Sequence, residues 1–399
     1  MEFYHDTLEN LLDKLIDYRG KTPKKTLSGI PLVTAKIVKN GTINGYTEFI
    51  PEEDYNKWMV RGFPKVGDVI LTTEAPLGEV ALLKEEKVAL AQRIVCLRGK
   101  DNVLDNTYLK YYLQSGKGQK SLSARESGTT VTGIKQAELR RVDIEYPTYE
   151  DQRRIASILS SLDRKIELNN KINADFEEMA QAIFKNWFVD FEPFKDGKFV
   201  DSELGMIPEG WKVGTLTEIA SYMNGLAMQK FPPENNEDSL PVLKIKELGQ
   251  GFCGTDSDRC SCNIKDECKI HNGDVIFSWS GTLLVDVWCG GDCGLNQHLF
   301  KVTSKDYPQW FYYYWTKHHL QEFIHIAKDK AVTMGHIKRG HLEEAMVAIP
   351  DNDSMENAHE LFEPILSKMI SLRLESSHLS TLRDTLLPRL MSGELEVPE

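Results

Sequence analysis

Residues 148–188 read TYEDQRRIASILSSLDRKIELNNKINADFEEMAQAIFKNWF. Ile155, Leu159, Leu162, Ile166, Asn169, Asn173, Phe176, Ala180 and Ile183 follow one another at alternating steps of four and three. That is the heptad rhythm of a helix packed along a partner helix. Glu150 and Asp151 fall in the predicted first turn, where carboxylates complement the helix dipole. No Pro or Gly interrupts the run before Pro193. A helix of about 36 residues would be ~54 Å long at about 1.5 Å per residue.

A helix of that length needs a partner for its apolar seam, and residues 351–391 supply one. Moving each seam position on by 203 lands on Ala358, Phe362, Ile365, Met369, Leu372, Ser376, Leu379, Arg383 and Leu386. Only Ser376 and Arg383 are polar, so the two helices read as copies rather than as unrelated amphipathic segments.

The copy extends beyond the helices. Leu12, Leu15, Ile16 and Tyr18 match Leu216, Ile219, Ala220 and Tyr222. Ile30-Pro31-Leu32-Val33 matches Leu240-Pro241-Val242-Leu243, with Lys36 opposite Lys246. Gly67-Asp68-Val69-Ile70 matches Gly273-Asp274-Val275-Ile276, and Gln92 lies opposite Gln297. Thr130, Ile134, Lys135 and Leu139 match Thr333, Ile337, Lys338 and Leu342. The expected domains are 1–147 and 205–350, each followed by a long helix (148–190, and 351–399 with the tail). A Gly/Pro-punctuated linker, 191–204, separates the first helix from the second unit.

Each unit is predicted to be α+β. A short helix opens it (7–18; 216–223). Strands follow at 31–38, 68–72, 78–83 and 93–97, then 242–245, 274–278, 283–287 and 299–302. An aromatic-rich helix comes next (107–114; 309–323). The second unit opens on Ile207-Pro208-Glu209-Gly210-Trp211, which the first unit lacks, so the first is expected to be trimmed at that edge. Two long antiparallel coiled-coil helices would separate the units with pseudo-two-fold symmetry. A span of about 50 Å corresponds to roughly 15 base pairs of duplex at 3.4 Å each.

The 399-residue chain carries a formal net charge of −12 and is 27% charged and 41% hydrophobic. Net charge is a sum, and a local basic face can coexist with acidic segments such as GELEVPE at 393–399. No apolar run approaches the roughly 18 residues of a membrane helix, and no secretory leader is visible, so a cytoplasmic location is expected. Six of the seven cysteines crowd 253–293. Their C-x-C and C-x3-C spacings are not a clean zinc pattern, and incidental thiols are the expectation over a metal site.

Four stretches carry a family resemblance: Asp17-Tyr18-Arg19-Gly20-Lys21-Thr22-Pro23; GDVILTTEAPLGEV from Gly67; Ile166-Glu167-Leu168-Asn169 through FKNWFVDFEP at 184–193; and LRDTLLPRLMSG from Leu382. On these the chain resembles the specificity subunit of type I restriction–modification enzymes. The resemblance implies two target-recognition domains, each reading half of a bipartite, asymmetric DNA target. It also implies that the helical regions dock two methylation subunits, with restriction/translocase subunits held through them. It implies no catalysis in this chain. S-adenosylmethionine, ATP and magnesium are expected only in the partner subunits, which methylate adenine or cleave.

Base edges are read by Arg, Lys, Asn, Gln, Ser or Thr, and phosphates by basic or amide donors. In the first unit the candidates are Lys36, Thr72, Thr73, Gln92, Arg93, Arg125, Thr129, Thr130 and Lys135. In the second they are Lys246, Ser278, Ser280, Gln297, His298, Thr333, His336, Lys338 and Arg339. Trp187 and Phe188 are candidates for a partner-subunit contact. A buried helix face is the expectation for Trp310-Phe311-Tyr312-Tyr313-Tyr314-Trp315. Two rivals remain: a coiled-coil protein scaffold, and a metal-dependent nuclease built on Glu267 and Lys269. Neither a [ND]PP[YF] methylase motif nor a G-x4-GK[ST] phosphate loop is present.

Overall fold

The structure, a computed structural model, describes residues 1–18, 22–128, 132–234, 238–329 and 335–398. The chain divides into two compact units, Met1–Lys165 with Leu379–Glu399, and Ile166–His378.

Both units are built on the same plan, and the α+β reading holds. The first has a four-stranded antiparallel sheet in the order Leu12–Asp17, Ile94–Gly99, Val69–Thr73, Leu77–Leu82. The second repeats it with Ser221–Asn224, Leu299–Thr303, Val275–Ser278 and Leu284–Val287. A smaller sheet follows in each. Ile30–Val33 lies parallel to Ala89–Leu90 and antiparallel to Phe49–Ile50. Ser239–Leu243 lies parallel to Cys293–Leu295 and antiparallel to Arg259–Ser261.

Three sequence expectations need correction. Of 7–18 only Leu8–Leu11 is helical, and Leu12–Asp17 is a strand paired to Ile94–Gly99. Leu216–Ile219 and Ser221–Asn224 behave alike. A single helical turn is a poor nucleus on its own, and strand pairing with burial of Ile16 and Tyr222 prevails. The aromatic helix predicted at 309–323 is two helices, Gln309–His318 and Leu320–Asp329. The strand predicted at 31–38 is also broken, into Ile30–Val33 and Val38–Lys39. Phe3–Thr7 pairs with Asp143–Pro147 just as Lys212–Thr215 pairs with Met346–Ile349.

The long helices are Tyr149–Phe188, 40 residues, and Asn352–Ser392, 41 residues. Every seam position named above is buried or half-buried in both. Their pairing is antiparallel within each unit. In the first, Asp163 meets Arg383, and Ile155 shares a core with Leu390 and Met391. In the second, Asn169 Nδ2 donates to Glu375 Oε2 at 2.8 Å, and Phe184 meets Phe362.

Polar anchors tie the helices to each unit. Asp163 accepts from Lys110 Nζ at 2.7 Å, Tyr111 at 2.5 Å and Arg383 Nη1 at 2.8 Å. Burial would raise the Asp163 pKa, but these donors outweigh it and hold the carboxyl below its ordinary value. In the second unit Glu177 pairs with Lys317 at 2.6 Å, and Arg373 with Asp286 at 2.7 Å. Trp310 through Trp315 are all buried there, with Trp310 stacked on Phe362 at 4.7 Å.

Candidate nucleic-acid interface

Three polar segments favoured by the sequence converge at one tip in each unit. In the first, the Thr73 backbone N–H donates to Arg93 O at 2.8 Å, and Ile134 N–H donates to Thr73 O at 3.0 Å. Glu74 bridges to Gly133, and so does Ser127. In the second, Trp279 N–H donates to His298 O at 3.4 Å, and Ile337 N–H donates to Trp279 O at 3.1 Å. Ser280 bridges to His336. The hairpin tip, the turn after the small sheet and the Gly-rich loop thus meet by the same bonds twice.

The side chains on this shared frame differ. Arg93 is exposed, its Nε 3.5 Å from Glu74 Oε1. The equivalent pair in the second unit is His298 Nδ1 and Ser280 Oγ, 3.0 Å apart. Trp279 packs beside His298 and His336, with ring centroids at 5.9 and 6.3 Å. Lys135 and Lys338 occupy equivalent N-cap positions and are exposed, as are His336 and Arg339. Lys36 is exposed on a turn. Arg125, half-buried, is held by Glu138 at 3.4 Å.

The second unit also holds a cavity of about 590 Å³ whose lining includes Gln229, Lys244, Lys246, Arg259, Gln297 and His298. The structure therefore joins Lys246 to Gln297 and His298. Gln229, Lys244 and Arg259 were missed from the sequence. Lys244, two residues before Lys246, was the available signal. Gln297 Oε1 is shielded from solvent and has no hydrogen-bond partner among the described residues. Lys246 is itself paired to Asp256 at 2.6 Å, and Lys244 to Asp258.

Several candidates are corrected by burial. Thr72, Thr73 and Ser278 are fully buried, and Ser280 is 7% exposed. The Thr72 hydroxyl accepts from Glu79 N–H at 2.9 Å, and Ser278 Oγ donates to Thr282 O at 2.8 Å. The Thr72 and Ser278 hydroxyls are thus taken up within their hairpins, while the buried Thr73 hydroxyl has no hydrogen-bond partner among the described residues. Phe188 is 1% exposed, stacked with Phe184 at 5.0 Å inside the second unit's core, and Trp187 packs against that core. Both pack within the second unit, Phe188 completely and Trp187 in part. Thr129, Thr130 and Thr333 lie outside the described residues.

The thiols do not gather into one centre. Cys253 and Cys293 belong to one apolar cluster, Cys260 and Cys268 to another. A shared hydrogen bond lowers the Cys253 pKa and raises that of Cys293, while burial pushes Cys289 up to about 11. Among the described residues no three His, Cys, Asp or Glu side chains are placed to hold a metal. Lys269, from the nuclease-like triplet, is bonded to Asp266 at 2.8 Å. No described helix is long and apolar enough to cross a membrane.

The fold is duplicated, with one polar tip in each unit. The model of the type I restriction modification DNA specificity domain matches the chain twice, over residues 18–178 and 208–366. The type I restriction enzyme MjaIX specificity subunit of Methanocaldococcus jannaschii is 30% identical over 95% of this chain and 91% of its own length. The HindI specificity subunit of Haemophilus influenzae is 22% identical over 64% of this chain and 69% of its own. The crystal structure of the type I restriction–modification S subunit from M. genitalium shares the fold. Its TM-score is 0.57 at 16% identity, covering 100% of this chain and 97% of that one. The chain belongs to the type I restriction–modification DNA specificity family.

Proposed function

We propose that this chain is the DNA-recognition subunit of a type I restriction–modification complex and that it reads a split, asymmetric target. Each unit's tip reads one part, and the long helices maintain the unread gap between them. Two methylation subunits dock on the chain, and restriction/translocase subunits join through them. S-adenosylmethionine, ATP and magnesium belong to those partners, and this chain contributes recognition rather than catalysis.

The observation that carries this reading is the pair of tips. The same backbone bonds build both, yet Glu74 and Arg93 stand where the other unit has Ser280 and His298. One frame with two chemistries is what a target of two dissimilar halves requires. The test is duplex binding by the chain assembled with its methylation partners, measured across salt concentrations. Phosphate contacts make the log of affinity fall linearly with the log of salt. A steep fall, with a specific duplex retained over a scrambled one, is expected. Binding that ignores both salt and sequence would leave only a protein scaffold.

A further inference from the structure

Arg93 sits where the three segments of the first tip meet. Its carbonyl accepts from Thr73 N–H, and Thr73 O in turn accepts from Ile134 N–H. Its backbone is left-handed, with φ of 74°, a conformation that non-glycine residues rarely adopt. Such strain persists only where the surroundings impose it. The side chain is 52% exposed, and Glu74 approaches it from the Nε edge at 3.5 Å. No bond to the terminal guanidinium nitrogens is formed by another described side chain. Glu74 thus flanks one edge of a half-exposed guanidinium.

We propose that Arg93 is the specificity-determining residue through which the first unit reads a guanine, and that Glu74 is its positioning residue. Guanine presents two acceptors, N7 and O6, on its major-groove edge, and these match a guanidinium fork. Adenine places an amino donor beside N7 and opposes it. A phosphate can accept from the same fork, but losing a phosphate contact weakens binding to all sequences without relaxing one base position. The second unit supports a different group at the same place, since Ser280 Oγ lies 3.0 Å from His298 Nδ1. The assignment rests on the DNA-recognition reading above.

The experiment maps methylated adenines in cells carrying the full chain with its partner subunits. Variants are Arg93→Ala, Arg93→Lys and Arg93→Gly; glycine relieves the left-handed strain, so a loss there is not a folding defect. Each should relax one guanine position in one part of the motif, by roughly 10–100-fold in discrimination. Arg93→Lys should do so while keeping the salt dependence of duplex binding. Glu74→Ala should relax the same guanine more weakly, and Glu74→Gln should largely retain it. Uniformly weaker modification with an unchanged motif would make Arg93 a phosphate contact and overturn the assignment. Relaxation at an A·T position, or in both parts of the motif, would also overturn it. Salt-independent binding by the unaltered complex would instead bring down the broader reading.

Discussion

Thr73 separates what a residue type suggests from what its position allows. It lies in GDVILTTE, a polar pair at the end of an apolar run, and reads as a groove contact. The structure buries it completely, and its hydroxyl has no hydrogen-bond partner among the described residues. Only its backbone serves the tip, through bonds to Arg93 and Ile134. Replacing the hydroxyl by a methyl of similar shape therefore removes an unpaired polar atom and leaves the frame intact. Thr73→Val is expected to keep thermal stability or raise it by up to about 1 kcal/mol, with an unchanged DNA target. A changed target in methylation mapping would show that Thr73 reads bases after all. The sequence could not foresee this. Alternation tells which residues share a face, but Val69–Thr73 is buried along its whole length. Arg93, by contrast, was legible, because Gln92 lies opposite Gln297 in the repeat and drew attention to its neighbour.

Among the elements, the long helices were the most legible. A heptad seam needs only sequence spacing, and all its positions came out buried or half-buried. Short elements were less so, because pairing with a neighbouring strand decided 12–17 and 221–224 against local helix preference. The anchors joining helix to sheet were not legible at all, since Lys110 and Asp163 lie far apart in sequence. Asp163 accepts from Lys110, Tyr111 and Arg383, and its pKa is held below the ordinary carboxylate value. A depressed acid pKa contributes stability above the unfolded-state value, and the contribution is lost as pH falls through the folded-state value. Asp163→Asn leaves Lys110, 6% exposed, without its counter-charge. It should lower stability at neutral pH by roughly 2–3 kcal/mol. The gap from wild type should shrink as pH falls below the carboxylate range. Denaturant unfolding of both proteins at neutral and acid pH checks this. A gap that stays constant with pH would place the effect in packing.

For the whole molecule, the duplication explains why function was legible before the contacts were. Matched residues at offsets of 206 (Gly67 and Gly273), 205 (Gln92 and Gln297) and 203 (Lys135 and Lys338) marked the hairpin tip, the small-sheet turn and the Gly-rich loop as repeated polar features on an otherwise apolar frame. The cavity in the second unit was not visible, because Gln229, Lys244 and Arg259 reach it from separate segments. Of its counterpart positions in the first unit, Lys36 and Gln92 repeat Lys246 and Gln297, whereas Arg93 stands where His298 does. The most direct measurement is the set of adenines methylated in cells by the complex, compared between the unaltered chain and one carrying Gln297→Ala, His298→Ala and His336→Ala together. One part of a split motif should lose its sequence preference while the other part and the gap stay as they were. A motif left wholly intact, or one whose two parts relax together, would contradict a division of reading between the two units.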